Sequence, residues 1–254
     1  MNRKIALITG ASKGLGQALT VAAAAAFPEL EELWLISRNI QLSEAMTAAC
    51  GGKRLRAIAL DLCDPASFGA LREQLASGGV EIVLLINNAG CGYLGDVADN
   101  PAWQVSAMTD LNVRALSLVT NLALLYMPEG GRIINVSSIA SFCPNPRMTV
   151  YSATKAYVSA FSRGLYEELR PRRITVTAVC PGPMATDFLT TGEIEGNSKM
   201  FDRLPYCDPK KVAEGAVQAA KRGAAFYTPT RFFRFYRFVA KLLPVGWMVK
   251  LAKT

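Results

Sequence analysis

"KIALITGASKGLGQAL", residues 4–19, is a short apolar run that stops at a glycine and then changes its period. Residues 4–9 read as a strand buried on both faces, as in a parallel sheet. Glycines 10, 14 and 16 follow, and residues 15–27, with their alanine run, read as a helix. A strand that turns through glycines into a helix N-terminus brings backbone N–H groups and the positive end of the helix dipole to one point. A pyrophosphate can sit there. The spacing is G-x-x-x-G-x-G rather than G-x-G-x-x-G, and glycines also make tight packing turns. The position, after a first strand and before a helix, is what favours a nucleotide.

The same pattern repeats outward from this turn. "LWLIS" (33–37), "RAIAL" (56–60), "EIVLLIN" (81–87), "RIINVS" (132–137) and "ITVTAV" (174–179) are further short runs rich in Ile, Val and Leu. Helix-compatible stretches at about 41–49, 65–77, 101–126 and 151–170 separate them. Strands alternating with helices at this spacing predict an α/β chain: a single doubly wound, Rossmann-like domain, its parallel sheet covered by helices on both faces. We place that domain at residues 1–229. Residues 230–254 form a basic aromatic tail that is either part of the same domain or a surface-binding helix.

Composition narrows the classes. Of 254 residues, 51% are hydrophobic and 19% charged, which a disordered chain would not show. The six cysteines form no C-x-x-C pair and the chain has no histidine, so no metal site is expected and the thiols read as reduced, small hydrophobes. Met1 runs directly into the first strand, without the h-region of a signal peptide. No run approaches the roughly 18 apolar residues of a membrane span. The expectation is a cytoplasmic protein, with a peripheral membrane contact left open by its charge. Residues 209–254 hold ten Lys and Arg against one acid, Glu214, a surplus of nine; residues 1–208 carry a net charge of −1.

The end of the second strand decides which dinucleotide is expected. An acid there holds a ribose 2′-hydroxyl, whereas cations accept a 2′-phosphate. This chain has Ser37 and Arg38, with Lys13 inside the glycine turn, and so favours NADP(H). Asp61, followed by Leu62, stands just past the third strand. It can cap an adenine edge, or N-cap the next helix together with Asp64.

Tyr151 and Lys155 in "YSATK" stand one helical turn apart. A phenol with a pKa near 10 is almost wholly protonated at neutral pH. A neighbouring ammonium favours the phenolate and is expected to lower that pKa by about one to three units, into the range of acid–base catalysis. "NNAG" (87–90), "NVSS" (135–138) with Ser138, and "PGPMAT" (181–186) each follow a strand, on the side where open parallel sheets bind ligands. Asn112 is an amide inside an apolar helical stretch; it either bends the helix and holds a water or satisfies its own backbone.

At these residues the sequence resembles the short-chain dehydrogenase/reductase family, over about residues 4–187 and with its motifs in order and spacing. The resemblance implies that Tyr151 is the general acid/base, that Ser138 hydrogen-bonds a substrate carbonyl and that Lys155 binds the nicotinamide ribose. It implies that Asn112 holds a water in a proton relay. Cofactor contacts are implied for Gly10, Ser12, Lys13, Gly14, Leu15 and Gly16 and for Ser37, Arg38, Asp61 and Leu62. Asn88, Ala89 and Gly90 would line the adenosine side, and Pro181, Gly182, Met184 and Thr186 would close over the nicotinamide. The reaction implied is NADPH-dependent reduction of a ketone or aldehyde to an alcohol, in a homodimer or homotetramer.

Two stretches lie beyond those motifs. Residues 188–207 read as a substrate lid with Phe188, Leu189, Met200, Phe201 and Tyr206 on an apolar underside, which points to a hydrophobic carbonyl substrate. The tail "RFFRFYRFVAKLL" (231–243) places Arg231, Arg234, Arg237 and Lys241 on one side of a helix and Phe232, Phe235, Val239 and Leu242 on the other. Either this apolar face packs on the domain or on another copy, or residues 231–250 lie on a membrane surface. No nucleic-acid module accompanies the charge. A rival reading from another class is a redox sensor or partner-binding protein on the same fold, which would not need the Asn112, Ser138, Tyr151 and Lys155 set.

Overall fold

Strand β1 (Arg3–Thr9) sends alternate side chains into two different cores: Ala6 and Ile8 to one, Ile5 and Leu7 to the other. That alternation is what a strand covered on both faces must have. The computed structural model describes residues 2–192, 194, 196 and 204–251. Among these, β1 is joined by β2 (Glu32–Ser37), β3 (Arg54–Ala59), β4 (Val80–Asn87), β5 (Arg132–Val136), β6 (Thr175–Val179) and β7 (Phe226–Tyr227). All pair in parallel, in the order β3-β2-β1-β4-β5-β6-β7.

The chain therefore runs outward from β1 to β3, returns, and resumes at β4 on the other side of β1. The carboxyl ends of β1 and β4 form a switch point, where crossovers leave in opposite directions and a crevice opens. Helix α1 (Gly14–Ala26) and helix α8 (Pro209–Lys221) cover the face of Ala6 and Ile8. On the opposite face lie α3 (Ala66–Ser77), α5 (Leu116–Leu124) and α6 (Thr149–Glu168). Shorter helices are α2 (Glu44–Ala49), α4 (Ala102–Thr109) and α7 (Asp187–Thr191); α9 (Arg231–Leu242) and α10 (Val245–Leu251) end the described chain.

Four elements differ from the sequence expectation. The β3 strand is not buried on both faces: it is the sheet's edge, where Arg54 is exposed and Arg56 lies 4.2 Å over the Trp34 ring. The long helix expected over 101–126 is interrupted by a π-helical turn at Asp110–Ala115. Helix α8 and the two-residue β7 were not anticipated. For α8 the signals were present: Asp208 accepts a hydrogen bond from the Lys210 N–H and Pro209 opens the first turn. Val212, Ala213, Ala216, Val217 and Ala220 then recur at three- and four-residue steps and are buried.

The tail docks on a different face from the one expected. Phe233 is fully buried, with Tyr236, Val239, Ala240 and Leu243 partly so, while Phe232, Phe235 and Leu242 are exposed. The reason is Gly182, after β6: any side chain there would collide with the Phe233 ring, so the empty space beside Gly182 selects which face of α9 turns inward.

Candidate active site

The carboxyl ends of the central strands are fastened by buried amides. Thr9 pairs in register with Asn87, and Asn87 with Asn135. Asn87 Nδ2 donates to Asn135 Oδ1 and to Thr120 Oγ1, each at 2.9 Å, and Asn135 Nδ2 donates to Ser162 Oγ at 2.9 Å. These bonds tie β4, β5, α5 and α6 together directly below the crevice. Buried amide donors paired in this way hold one geometry, because any other leaves a donor unpaired.

Asn88 then fixes the glycine turn. Its Nδ2 donates to the carbonyls of Thr9 (3.2 Å) and Gly10 (2.9 Å), while Thr9 Oγ1 accepts from the N–H groups of Asn88 and Ala89. Gly10 has φ +66°, and a Cβ there would come 2.8 Å from the Ala89 backbone, so both the conformation and the space require glycine. Gly14, Leu15 and Gly16 begin α1, where N–H groups have no carbonyl one turn earlier to bond.

At the far end of the cleft the residues are buried. Tyr151 and Lys155 stand one turn apart on α6, and Ser137 Oγ holds that turn to β5 by donating to the Lys155 carbonyl at 2.8 Å. Lys155 Nζ donates to the Val136 carbonyl at 2.9 Å and lies 5.7 Å from the Tyr151 ring centre. Burial pushes the Tyr151 phenol up to about 12, against a hydrogen bond with Ser138 that pulls it down. Burial likewise pulls Lys155 down to about 8. The phenol thus stands above its ordinary value rather than below it as expected, because desolvation outweighs the Ser138 hydrogen bond.

Asn112 is buried in the π-helical turn, a distortion that often accompanies functional sites. It does not satisfy its own backbone. Its Oδ1 accepts from the Cys91 N–H (2.9 Å), and its Nδ2 donates to the Cys91 carbonyl (2.8 Å) and to Thr154 Oγ1 (3.0 Å). Gly90 lies between Asn112 and Lys155: a Cβ there would stand 3.0 Å from Asn112 Oδ1 and 3.2 Å from Lys155 Nζ.

One cleft is lined by Ser138, Tyr151 and Lys155 together with Gly10, Ser12, Lys13, Gly14, Leu15, Gly16, Ser37, Arg38, Asp61, Leu62, Asn88, Ala89, Gly90, Pro181, Gly182, Met184 and Thr186. Asn112 stands behind that wall. Ser37 Oγ donates to Ser12 Oγ at 3.0 Å, and Arg38 is exposed with no ion pair among the described residues. Lys13 is not free: its Nζ pairs with Asp187 at 2.7 Å. Asp61 caps no helix; its carboxylate accepts from the Cys63 N–H and closes a local turn, while Asp64 accepts from Ala66.

Sequence reasoning missed Gly92, Cys91, Tyr93 and Asp187. A Cβ at Gly92 would come 2.7 Å from the Tyr151 ring and 2.8 Å from Phe188. Phe188, on α7, has its ring 5.7 Å from that of Tyr151. The Leu94 N–H donates to the Gly192 carbonyl at 3.0 Å, fastening this lid segment to the loop after β4. Met200 and Phe201, expected on the lid, lie outside the described residues. The Cys91 thiol is pushed up to about 12 by burial and stays protonated.

Residues 4–194 match the model of the short chain dehydrogenase family. An uncharacterized oxidoreductase of Methylorubrum extorquens is 33% identical over 196 residues, 76% of this chain and 78% of that protein. A 3-oxoacyl-[acyl-carrier-protein] reductase of Synechocystis is 30% identical over 239 residues, 91% of this chain and 95% of the relative. Among solved structures, a short-chain dehydrogenase from Sphingobium yanoikuyae in complex with NADPH superposes with a TM-score of 0.78 at 27% identity. It covers 96% of this chain and 95% of that one. With the cleft at the switch point, the buried Tyr151–Lys155 turn and a family match over most of its length, this chain belongs to the short-chain dehydrogenase/reductase family and is an oxidoreductase.

Proposed function

We propose that the protein uses NADPH to reduce a ketone or aldehyde, on a hydrophobic compound, to the alcohol. The observation that carries this reading is the convergence of Ser138, Tyr151 and Lys155 at one end of a cleft whose other end is the glycine turn with Arg38. The residues present fit NADP(H). The N–H groups that open α1 suit a pyrophosphate, and Arg38 and Lys13 suit a 2′-phosphate where an acid would repel it. Neighbours in complex with NADPH or NADP support the same choice. The Synechocystis relative, a 3-oxoacyl reductase, supports a ketone as the substrate class.

When bound, NADPH would supply the hydride to the carbonyl carbon. The chain's own residues handle the proton. Held up to about 12, Tyr151 carries its proton at neutral pH, as an acid in reduction must. Its Oη gives that proton to the carbonyl oxygen as negative charge develops there, and the Ser138 hydroxyl donates a hydrogen bond to the same oxygen. The tyrosinate left behind is buried on the same helix face as Lys155, whose ammonium then offsets the new charge. Asn112 positions the loop at Gly90 and Cys91 against this pair. Phe188 and Leu189 give the substrate side an apolar wall. Exposed Leu118, Leu125 and Tyr157, on and beside α5 and α6, supply an apolar surface for assembly into a homodimer or homotetramer.

Titration of the protein with NADPH and, separately, NADH tests the cofactor assignment without a guessed substrate. NADPH should bind tighter by about tenfold or more, and Arg38→Asp should remove that preference. NADPH oxidation with a panel of hydrophobic ketones and aldehydes then tests the reaction. Preference for NADH, or binding of neither, would overturn the reading.

A further inference from the structure

The last two helices are well seated on their inner side and bare on their outer one. Thr230, held at φ +59°, caps α9 by accepting from the Phe233 N–H at 3.3 Å. Phe233 fills the space beside Gly182, Arg237 lies 4.0 Å over the Phe226 ring, and Met248 of α10 is buried with Cys143. The orientation of this pair is therefore fixed by the domain. Yet Phe232, Phe235, Phe238, Leu242, Val245 and Trp247 are each 52–66% exposed. A run of large apolar side chains this exposed is uncommon unless something covers it.

Cations flank that surface. Arg231, Arg234 and Lys241 run beside the aromatic row of α9, Lys250 lies on α10, and all four are exposed. After Glu214 the sequence contains no acid. We propose that this face lies on an anionic lipid surface, with the aromatic and aliphatic side chains in the headgroup–acyl boundary and the cations against lipid phosphates. A second copy of this chain fits poorly, because a two-fold contact would set this acid-free, cationic face against itself. No described helix is long and apolar enough to span, so the contact is in the plane of the surface. Phe233 joins this helix to a wall of the cleft, so the lipid would lie about one helix diameter, roughly 10 Å, from it. On the carbonyl-reductase reading, that places the cleft within reach of substrates dissolved in a bilayer.

The test is co-sedimentation of the full chain with vesicles of phosphatidylcholine alone and of phosphatidylcholine mixed with phosphatidylglycerol. Binding to the mixed vesicles, weaker by about tenfold on the neutral ones, is expected. Phe235→Glu with Leu242→Glu should abolish it, and Arg234→Gln with Lys241→Gln should remove the preference for anionic lipid. Both pairs are exposed, so NADPH binding should survive each change and report an intact fold. The proposal is overturned if the wild-type chain sediments with neither vesicle, or if the Phe235→Glu, Leu242→Glu variant binds as the wild type does. It is equally overturned if that variant binds no less lipid but falls from a larger assembly to a smaller one, since the face would then join copies of this chain.

Discussion

Lys155 and Lys13 line the same cleft and are held in opposite ways. Lys155 is buried, bonds a backbone carbonyl and has its proton loosened to about 8 by desolvation. Lys13 is exposed, and its partner is an equally exposed carboxylate, Asp187. At the buried end, small displacements change chemistry, because each group has one permitted position. At the exposed end, solvent screens every charge and positions are shared. The difference teaches where the molecule places its precision: around the proton, and much less around the phosphates.

The sharpest break of this contrast is Tyr151→Phe, which removes the proton donor and leaves the ring. Turnover should fall by about a thousandfold, with NADPH affinity nearly unchanged by calorimetry. Retention of more than a few per cent of activity would end the role given to Tyr151. Gly92→Ala is the next largest, since its methyl would push the Tyr151 ring and Phe188 apart; kcat should drop by about ten- to a hundredfold.

Lys155 gives a test in pH. Its ordinary value is 10.5 and its folded value about 8, so between these the unfolded chain holds more protons. The buried ammonium therefore destabilises the fold below pH 8, and the penalty fades as pH rises towards 10.5. Urea unfolding should show Lys155→Met gaining most over wild type near pH 7 and losing most of that gain by pH 10. A difference that stays flat with pH would show that Lys155 is not perturbed. The smallest effect belongs to the exposed end. Asp187→Asn should tighten NADPH by a few-fold, because Lys13 loses a competitor for the phosphate, whereas Lys13→Ala should weaken it by a similar factor.

What could be read from the sequence was local. Tyr151 and Lys155 were legible because one helical turn sets their relation, and the glycine turn because its place between strand and helix is itself the signal. The partner of Lys13 was not, since Asp187 stands 174 residues away. The π-helical turn at Asn112 has no signature in composition; only the buried amide, unaccounted for in an apolar run, marked it. The docked face of α9 was misjudged for a related reason. Helical spacing made Phe232, Phe235 and Leu242 look like the inner row, but Phe233 is inside because of a side chain that Gly182 lacks. The edge strand β3 was misread because a short apolar run does not say whether a neighbour stands beyond it.

The seat of Phe233 against Gly182 also has a consequence in time. In a chain emerging from the ribosome Ser138, Tyr151 and Lys155 are synthesised well before residue 233, and until then Gly182 has no Phe233 ring beside it. The nascent protein should pass through a stage in which its catalytic residues are made but its cleft is not yet braced. Competence then arrives late in synthesis, set by a phenylalanine that takes no part in the reaction.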